Sequence, residues 1–206
     1  MKNNHEISFI QNFICTKKDR LDIIKQNLPH FAEIINPYPV LVNYDTDVNL
    51  KEIKSLYEKY IENLHFQNKI GLDWGETTNE LLEMTDSPYI SYLTEDIFFH
   101  SDFNKEHFQN LFKEYKDNNC KHMWMGKVDK YTYEHNHKNS TKGNYLWHIH
   151  SSKSPNMFNN GNQGVLSLVA LYERNLFKNC LSKAIGKGKG LDGISVYERV
   201  NTIINA

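Results

Sequence analysis

Strand-like and helix-like segments alternate through the first half of the chain, and this alternation restricts it to few architectures. Ile7 to Cys15 is an apolar, β-rich run. Asp22 to Ile35 carries a helical apolar rhythm at Ile23, Ile24, Leu28, Phe31, Ile34 and Ile35, with Pro29 a place for a kink. Pro37-Tyr38-Pro39 punctuates, and Val40 to Tyr44 is a short strand ending at Asp45. Leu50 to Asn63 is a helix with Ile53, Leu56, Tyr57, Tyr60 and Ile61 on one face. Leu64 to Asn68 reads as a short strand and Thr77 to Met84 as a helix. This order predicts an α/β fold with a mostly parallel, Rossmann-like central sheet covered by helices on both faces. Right-handed crossovers would bring the strand ends at Cys15, Asp45 and Asp96 to one edge, where open sheets bind ligands.

The next run, Ser87-Pro88-Tyr89-Ile90-Ser91-Tyr92-Leu93-Thr94-Glu95-Asp96-Ile97-Phe98-Phe99, carries the chemistry. An apolar strand for a covered sheet meets two adjacent acids and then resumes. Carboxylates there are costly unless a cation neutralises them. A hard divalent metal takes oxygen ligands and leaves room for phosphate oxygens, so Glu95 and Asp96 mark a diphosphate-metal site. The alternative is a strand-end turn or helix cap facing solvent.

The second half differs. Asn104 to Lys116 is an amphipathic helix. His122 to Val128 and Tyr145 to His150 read as strands around a polar loop, Glu134 to Asn144. Asn156 to Gln163 is turn chemistry, and Val165 to Leu181 reads as a helix. Gly186-Lys187-Gly188-Lys189-Gly190 is a basic loop leading to Asp192 and a final helix, Ile194 to Ile204. His148 and His150 alternate along a strand and share a face. They suit a metal pair or a half-exposed strand with acceptor-facing polar groups, the second reading being preferred.

At 206 residues the chain suits one domain. About 1–100 would be a nucleotide-binding half and about 101–206 an acceptor-side half. With 24 basic and 25 acidic residues, bulk charge gives no argument for nucleic acid or anionic membrane as partner. The three cysteines, Cys15, Cys120 and Cys180, lack metal-finger spacing and read as reduced thiols. No apolar signal core follows Met1 and no run reaches transmembrane length, so a cytoplasmic location is expected. The high Asn, Lys and Ile content fits an AT-rich genome, bacterial or viral.

In order and spacing, the chain resembles nucleotide-sugar glycosyltransferases of the GT-A fold, the family-2-like group. The residues that carry this are Phe13 to Leu21 after the first strand, Val40 to Asp45, and Asn68-Lys69-Ile70-Gly71. Thr78 to Leu82, the acid-ended fourth strand and Asp192 to Arg199 complete the series. The resemblance implies a metal-dependent transfer of a sugar from a UDP-sugar, or a GDP-sugar, to a hydroxyl acceptor, with inversion. It implies Mn2+ or Mg2+ on Asp96 and Glu95, with a late histidine such as His148 as a further ligand in retaining relatives. Asp45, Thr16 and Arg20 would hold the nucleotide, with Lys17 beside them, and Asp192 would be the base. Asp73 and Trp74, in Gly71-Leu72-Asp73-Trp74-Gly75, would offer a polar group and a stacking face. Each has an ordinary alternative: an Asx-turn for Asp45, a helix cap for Asp192, core packing for Trp74.

Two departures stand out. Thr94 replaces the first acid of the family's Asp-x-Asp triplet, and Leu191 replaces the Glu before the late Asp. They keep a retaining enzyme, or a non-catalytic nucleotide- or sugar-binding protein on the same fold, in play. A nucleotidyltransferase is disfavoured, because Thr16-Lys17-Lys18-Asp19 contains no glycine for a phosphate loop.

Overall fold

All seven residues of Ile7–Phe13 are buried, including Ser8, Gln11 and Asn12, as expected of a strand covered on both faces. This strand, β1, is central in a computed structural model that describes residues 5–93, 103–119, 122–124, 140–142, 147–149, 169–182 and 185–186. The elements then run α1 (Lys18–Ile35), β2 (Val40–Tyr44), α2 (Leu50–Tyr60), β3 (Leu64–Gln67), α3 (Trp74–Glu83) and β4 (Tyr89–Leu93). After them come α4 (Lys105–Asp117), β5 (His122–Trp124), β6 (Ser140–Lys142), β7 (Trp147–Ile149), β8 (Val169–Glu173) and α5 (Arg174–Ser182).

Six strands form one sheet in the order β3-β2-β1-β4-β8-β5, and β6 and β7 form a separate antiparallel pair. β1 pairs in parallel with β2 and β4, and β2 with β3. The two remaining pairings, β4 with β8 and β5 with β8, are antiparallel. Side chains alternate cleanly between the two faces. Phe9, Phe13, Val40, Val42, Tyr44, Leu93 and Leu171 join α1, α2 and α4 in one core. Ile10, Leu41, Ile90, Tyr92, Ala170 and Tyr172 join α3 and α5 in the other. Each fully buried aliphatic or aromatic side chain contributes about 1.5–3 kcal/mol.

Val40 to Tyr44 forms the strand expected for it, and Pro29 lies inside α1 without ending it. α3 starts at Trp74 rather than Thr77, because the Asp73 carboxylate caps it by accepting from the Glu76 amide at 3.0 Å. The helix expected over Val165 to Leu181 is a correction. Its described part is strand β8 followed by helix α5, with Ala170, Leu171 and Tyr172 each 0% exposed between β4 and β5. A short apolar run fits either state, and the open edge of β4 selected the strand. The loop expected over Glu134 to Asn144 contains β6 among its described residues. The final helix, Ile194 to Ile204, lies outside the described residues.

Candidate functional site at the carboxyl edge of the sheet

The parallel register brings the carboxyl ends of β2, β1 and β4 side by side, with Phe13 opposite Tyr44 and Ile10 opposite Tyr92. Loops leaving these ends carry Thr16, Lys17 and Arg20 from β1 and Asp45 from β2. Asp73 arrives on the loop after β3. Thr16 and Lys17 are exposed and Arg20 is half-buried. The Arg20 guanidinium reaches back to the Ile14 carbonyl at 3.5 Å, which holds it beneath the β1–α1 loop. Lys17, at the N-cap of α1, gives no side-chain cap, and Asp19 accepts from the Arg20 amide at 2.9 Å. Such a helix start, with basic side chains around it, favours anions.

A buried amide network underlies this edge. Asn12 and Asn43 are register partners and are 2% and 1% exposed. Asn43 Nδ2 donates to Asn12 Oδ1 at 3.0 Å. Asn12 Nδ2 donates into the first turn of α3, with the hydroxyls of Thr77 and Thr78 each at 2.9 Å. Asn43 also grips the backbone of Lys69, accepting from its N–H at 3.1 Å and donating to its carbonyl at 3.3 Å. Asn68 reaches the other way, donating to the carbonyls of Tyr44 at 2.6 Å and Thr46 at 3.0 Å. The Gly71 amide donates to Asp45 Oδ1 at 2.5 Å. The β2–α2 turn and the β3–α3 loop are thereby one rigid unit, with half-buried Asp45 at its rim.

Trp74 requires a correction. It is 3% exposed, lies edge-on to Tyr92 at 5.6 Å, and donates from Nε1 to the Tyr92 hydroxyl at 3.2 Å. Its faces are spent on the α3–β4 core and offer nothing to a base or sugar. Asn12 and Asn43 went unread in the sequence, although each is the penultimate residue of a buried strand and so had to find amide partners.

Glu95, Asp96 and Asp192 lie outside the described residues, as does the side chain of His148. Among the described residues no group of three His, Cys, Asp or Glu side chains could hold a metal. No described helix is long and apolar enough to cross a membrane.

No protein-family model matches the chain, and no curated protein matches it. Solved structures do. S. aureus TarS 1-349 matches with a TM-score of 0.57 at 14% identity, over 85% of this chain and 49% of that one. The same protein in complex with UDP-GlcNAc matches with a TM-score of 0.57 at 14% identity, over 85% of this chain and 47% of that one. The mannosyltransferase PcManGT from Pyrobaculum calidifontis, in complex with GDP-Man and Mn2+, matches with a TM-score of 0.55 at 12% identity, over 86% and 47%. The chain spans about half the length of these proteins. The sheet order, the two helical layers and these likenesses together give the chain a GT-A-like, Rossmann-type fold.

Proposed function

We infer that the chain is a metal-dependent glycosyltransferase that moves a sugar from a nucleotide-diphosphate sugar, a UDP-sugar before a GDP-sugar, to a hydroxyl acceptor. The observation that carries this is the carboxyl edge itself: Asp45 fixed by Gly71, beside Thr16 and Arg20 at the start of α1, on a GT-A-like fold. In this reading Asp45, Thr16 and Arg20 hold nucleoside and phosphates. Glu95 and Asp96 follow β4 in sequence and are hard oxygen donors of the kind Mn2+ or Mg2+ prefers, with His148 a further candidate ligand. An ion there would supply charge neutralisation for the diphosphate. The acceptor oxygen attacks the anomeric carbon in line, the bond to the diphosphate oxygen breaks, and the Asp192 carboxylate takes the acceptor proton. General-base help of this kind contributes about 10^2–10^4 in rate. Inversion follows from the single displacement. Residues 101–206 would contribute the acceptor side of one domain.

Replacing Asp96 by Ala should abolish Mn2+-dependent release of UDP from a UDP-sugar with the unfolding midpoint unchanged. Full turnover in that variant removes the metal assignment. Asp192→Asn should collapse turnover while calorimetry still records donor binding. Thr94, where the family has its first acid, favours a second reading as a non-catalytic sugar-nucleotide binder. Hydrolysis of the donor by the wild-type protein excludes it.

A further inference from the structure

Tyr44, the last residue of β2, is fully buried beneath the candidate site. Its ring stands edge-on to Phe13 at 5.3 Å and tilts against Phe66 at 6.4 Å. Its hydroxyl oxygen lies 2.8 Å from the Cys15 carbonyl oxygen and 2.5 Å from that of Val48. A phenol has one hydrogen to donate, so the two carbonyls share it. One carbonyl belongs to the loop leaving β1 and the other to the turn leaving β2. Thr16 follows Cys15 directly, and Val48 stands shortly after Asp45.

A tyrosine needs one acceptor to be satisfied; this one takes two, from different loops. In a trans peptide the C=O and the following N–H point in opposite directions. Drawing the Cys15 carbonyl onto the buried hydroxyl therefore turns the Thr16 N–H away from the core. No hydrogen bond to that N–H is found among the described residues. The turn has further anchors, because the Asp45 amide donates to the Phe13 carbonyl at 3.0 Å and Asn68 holds the Tyr44 and Thr46 carbonyls. Arg20 and the Cys15 thiol brace the β1–α1 loop within itself, on the carbonyls of Ile14 and Lys17. The Tyr44 hydroxyl joins that loop to the turn. Replacing its hydrogen by nothing leaves two carbonyls without it, and a buried acceptor so abandoned shifts until it finds another donor.

We propose that Tyr44 is a positioning residue of the donor site: its one buried hydroxyl, shared by the Cys15 and Val48 carbonyls, sets the β1–α1 loop against the β2–α2 turn so that Thr16 and the start of α1 meet the phosphates of a nucleotide whose nucleoside lies at Asp45. This rests on the nucleotide-holding roles given to Thr16, Arg20 and Asp45 above. It goes beyond them by naming a residue that touches no ligand and fixes the spacing between those that do.

The test is calorimetric titration of the full chain with UDP, and with uridine by displacement of UDP, both with Mn2+. The ratio of the two affinities isolates what the phosphates add. The wild type should bind UDP about a hundredfold more tightly than uridine. Tyr44→Phe keeps the ring and removes the shared hydrogen. It should lower the ratio by about tenfold while uridine affinity stays within about twofold of the wild type. Phe66→Leu loosens the packing around the same ring and keeps the hydroxyl, so the unfolding midpoint should fall and the ratio should hold. Val48→Gly replaces an exposed side chain, spares the core and frees the backbone around one of the two carbonyls, so the ratio should fall by about threefold. It decides the matter if Tyr44→Phe does not fold. A tyrosine that serves only stability would weaken UDP and uridine equally, or would be matched in its effect on the ratio by Phe66→Leu; either result overturns the proposal. So does a ratio unchanged in both Tyr44→Phe and Val48→Gly, or a wild type that binds UDP no more tightly than uridine. A wild type that binds neither ligand is a distinct result, which removes the nucleotide-site reading and the proposal with it.

Discussion

The central strand β1 carries a polar cluster at each end, and the two are built differently. At the amino end, Ser8 Oγ lies 2.7 Å from Thr85 Oγ1 and 2.8 Å from Ser87 Oγ, and Ser87 Oγ donates to the His5 carbonyl at 2.8 Å. These short side chains satisfy one another and the adjacent backbone. They close the bottom of the sheet and hold β1 to the segment before β4. At the carboxyl end, Asn12 and Asn43 bond to each other and also reach outward, Asn12 to α3 and Asn43 to the β3–α3 loop, gathering both over the strand ends. The first arrangement is inward and complete. The second carries an acid at its rim. The same strand thus has one end designed to seal and one designed to hold, which is the asymmetry expected where ligands sit at carboxyl ends.

Three substitutions test that contrast. The largest effect is expected from Asn12→Leu. It removes the donor to Thr77 and Thr78 and the acceptor for Asn43, leaving buried polar groups without partners. Urea unfolding should show a loss of about 3–5 kcal/mol, with nucleotide binding lost as well. Ser87→Ala should cost about 1–2 kcal/mol in the same assay while leaving UDP affinity unchanged. If it weakens UDP as strongly as a carboxyl-edge variant does, the division between a sealing end and a holding end is wrong. The smallest effect belongs to Ser91, mid-strand in β4, whose buried Oγ has no hydrogen-bond partner among the described residues. Ser91→Ala should be neutral or slightly stabilising, within about 0.5 kcal/mol. A loss above about 1 kcal/mol would reveal a partner for that hydroxyl.

Local pattern was enough for the parallel part of the fold. β2 spans Val40–Tyr44 as its apolar run predicts, and α2 begins at Leu50 although it ends at Tyr60, not Asn63. What failed was whatever depended on distant partners. Val169–Glu173 became a strand because β4 offered an unpaired edge on one side and β5 followed on the other, a tertiary circumstance that periodicity does not encode. Trp74 sits between glycines at 71 and 75, which suggests a loop; the Asp73 cap turns that loop into the first turn of α3 and drives the indole inward. Of the candidate site, Asp45 was legible as an acid at the end of a strand. The amides beneath it were not, because nothing marks Asn12 and Asn43 as partners until the register of their strands is known.

The late arrival of β8 has a consequence for how the molecule is made. β4 ends at Leu93, yet the partner that covers its outer edge begins only at Val169. On a ribosome, the first four strands can pair while Ile90 and Tyr92 still lack Ala170 and Tyr172 alongside. A nascent chain halted in that interval would display an apolar strand margin open to any neighbouring extended peptide. Shortened versions lacking residues 169–182 should therefore clump rather than persist as a smaller stable protein.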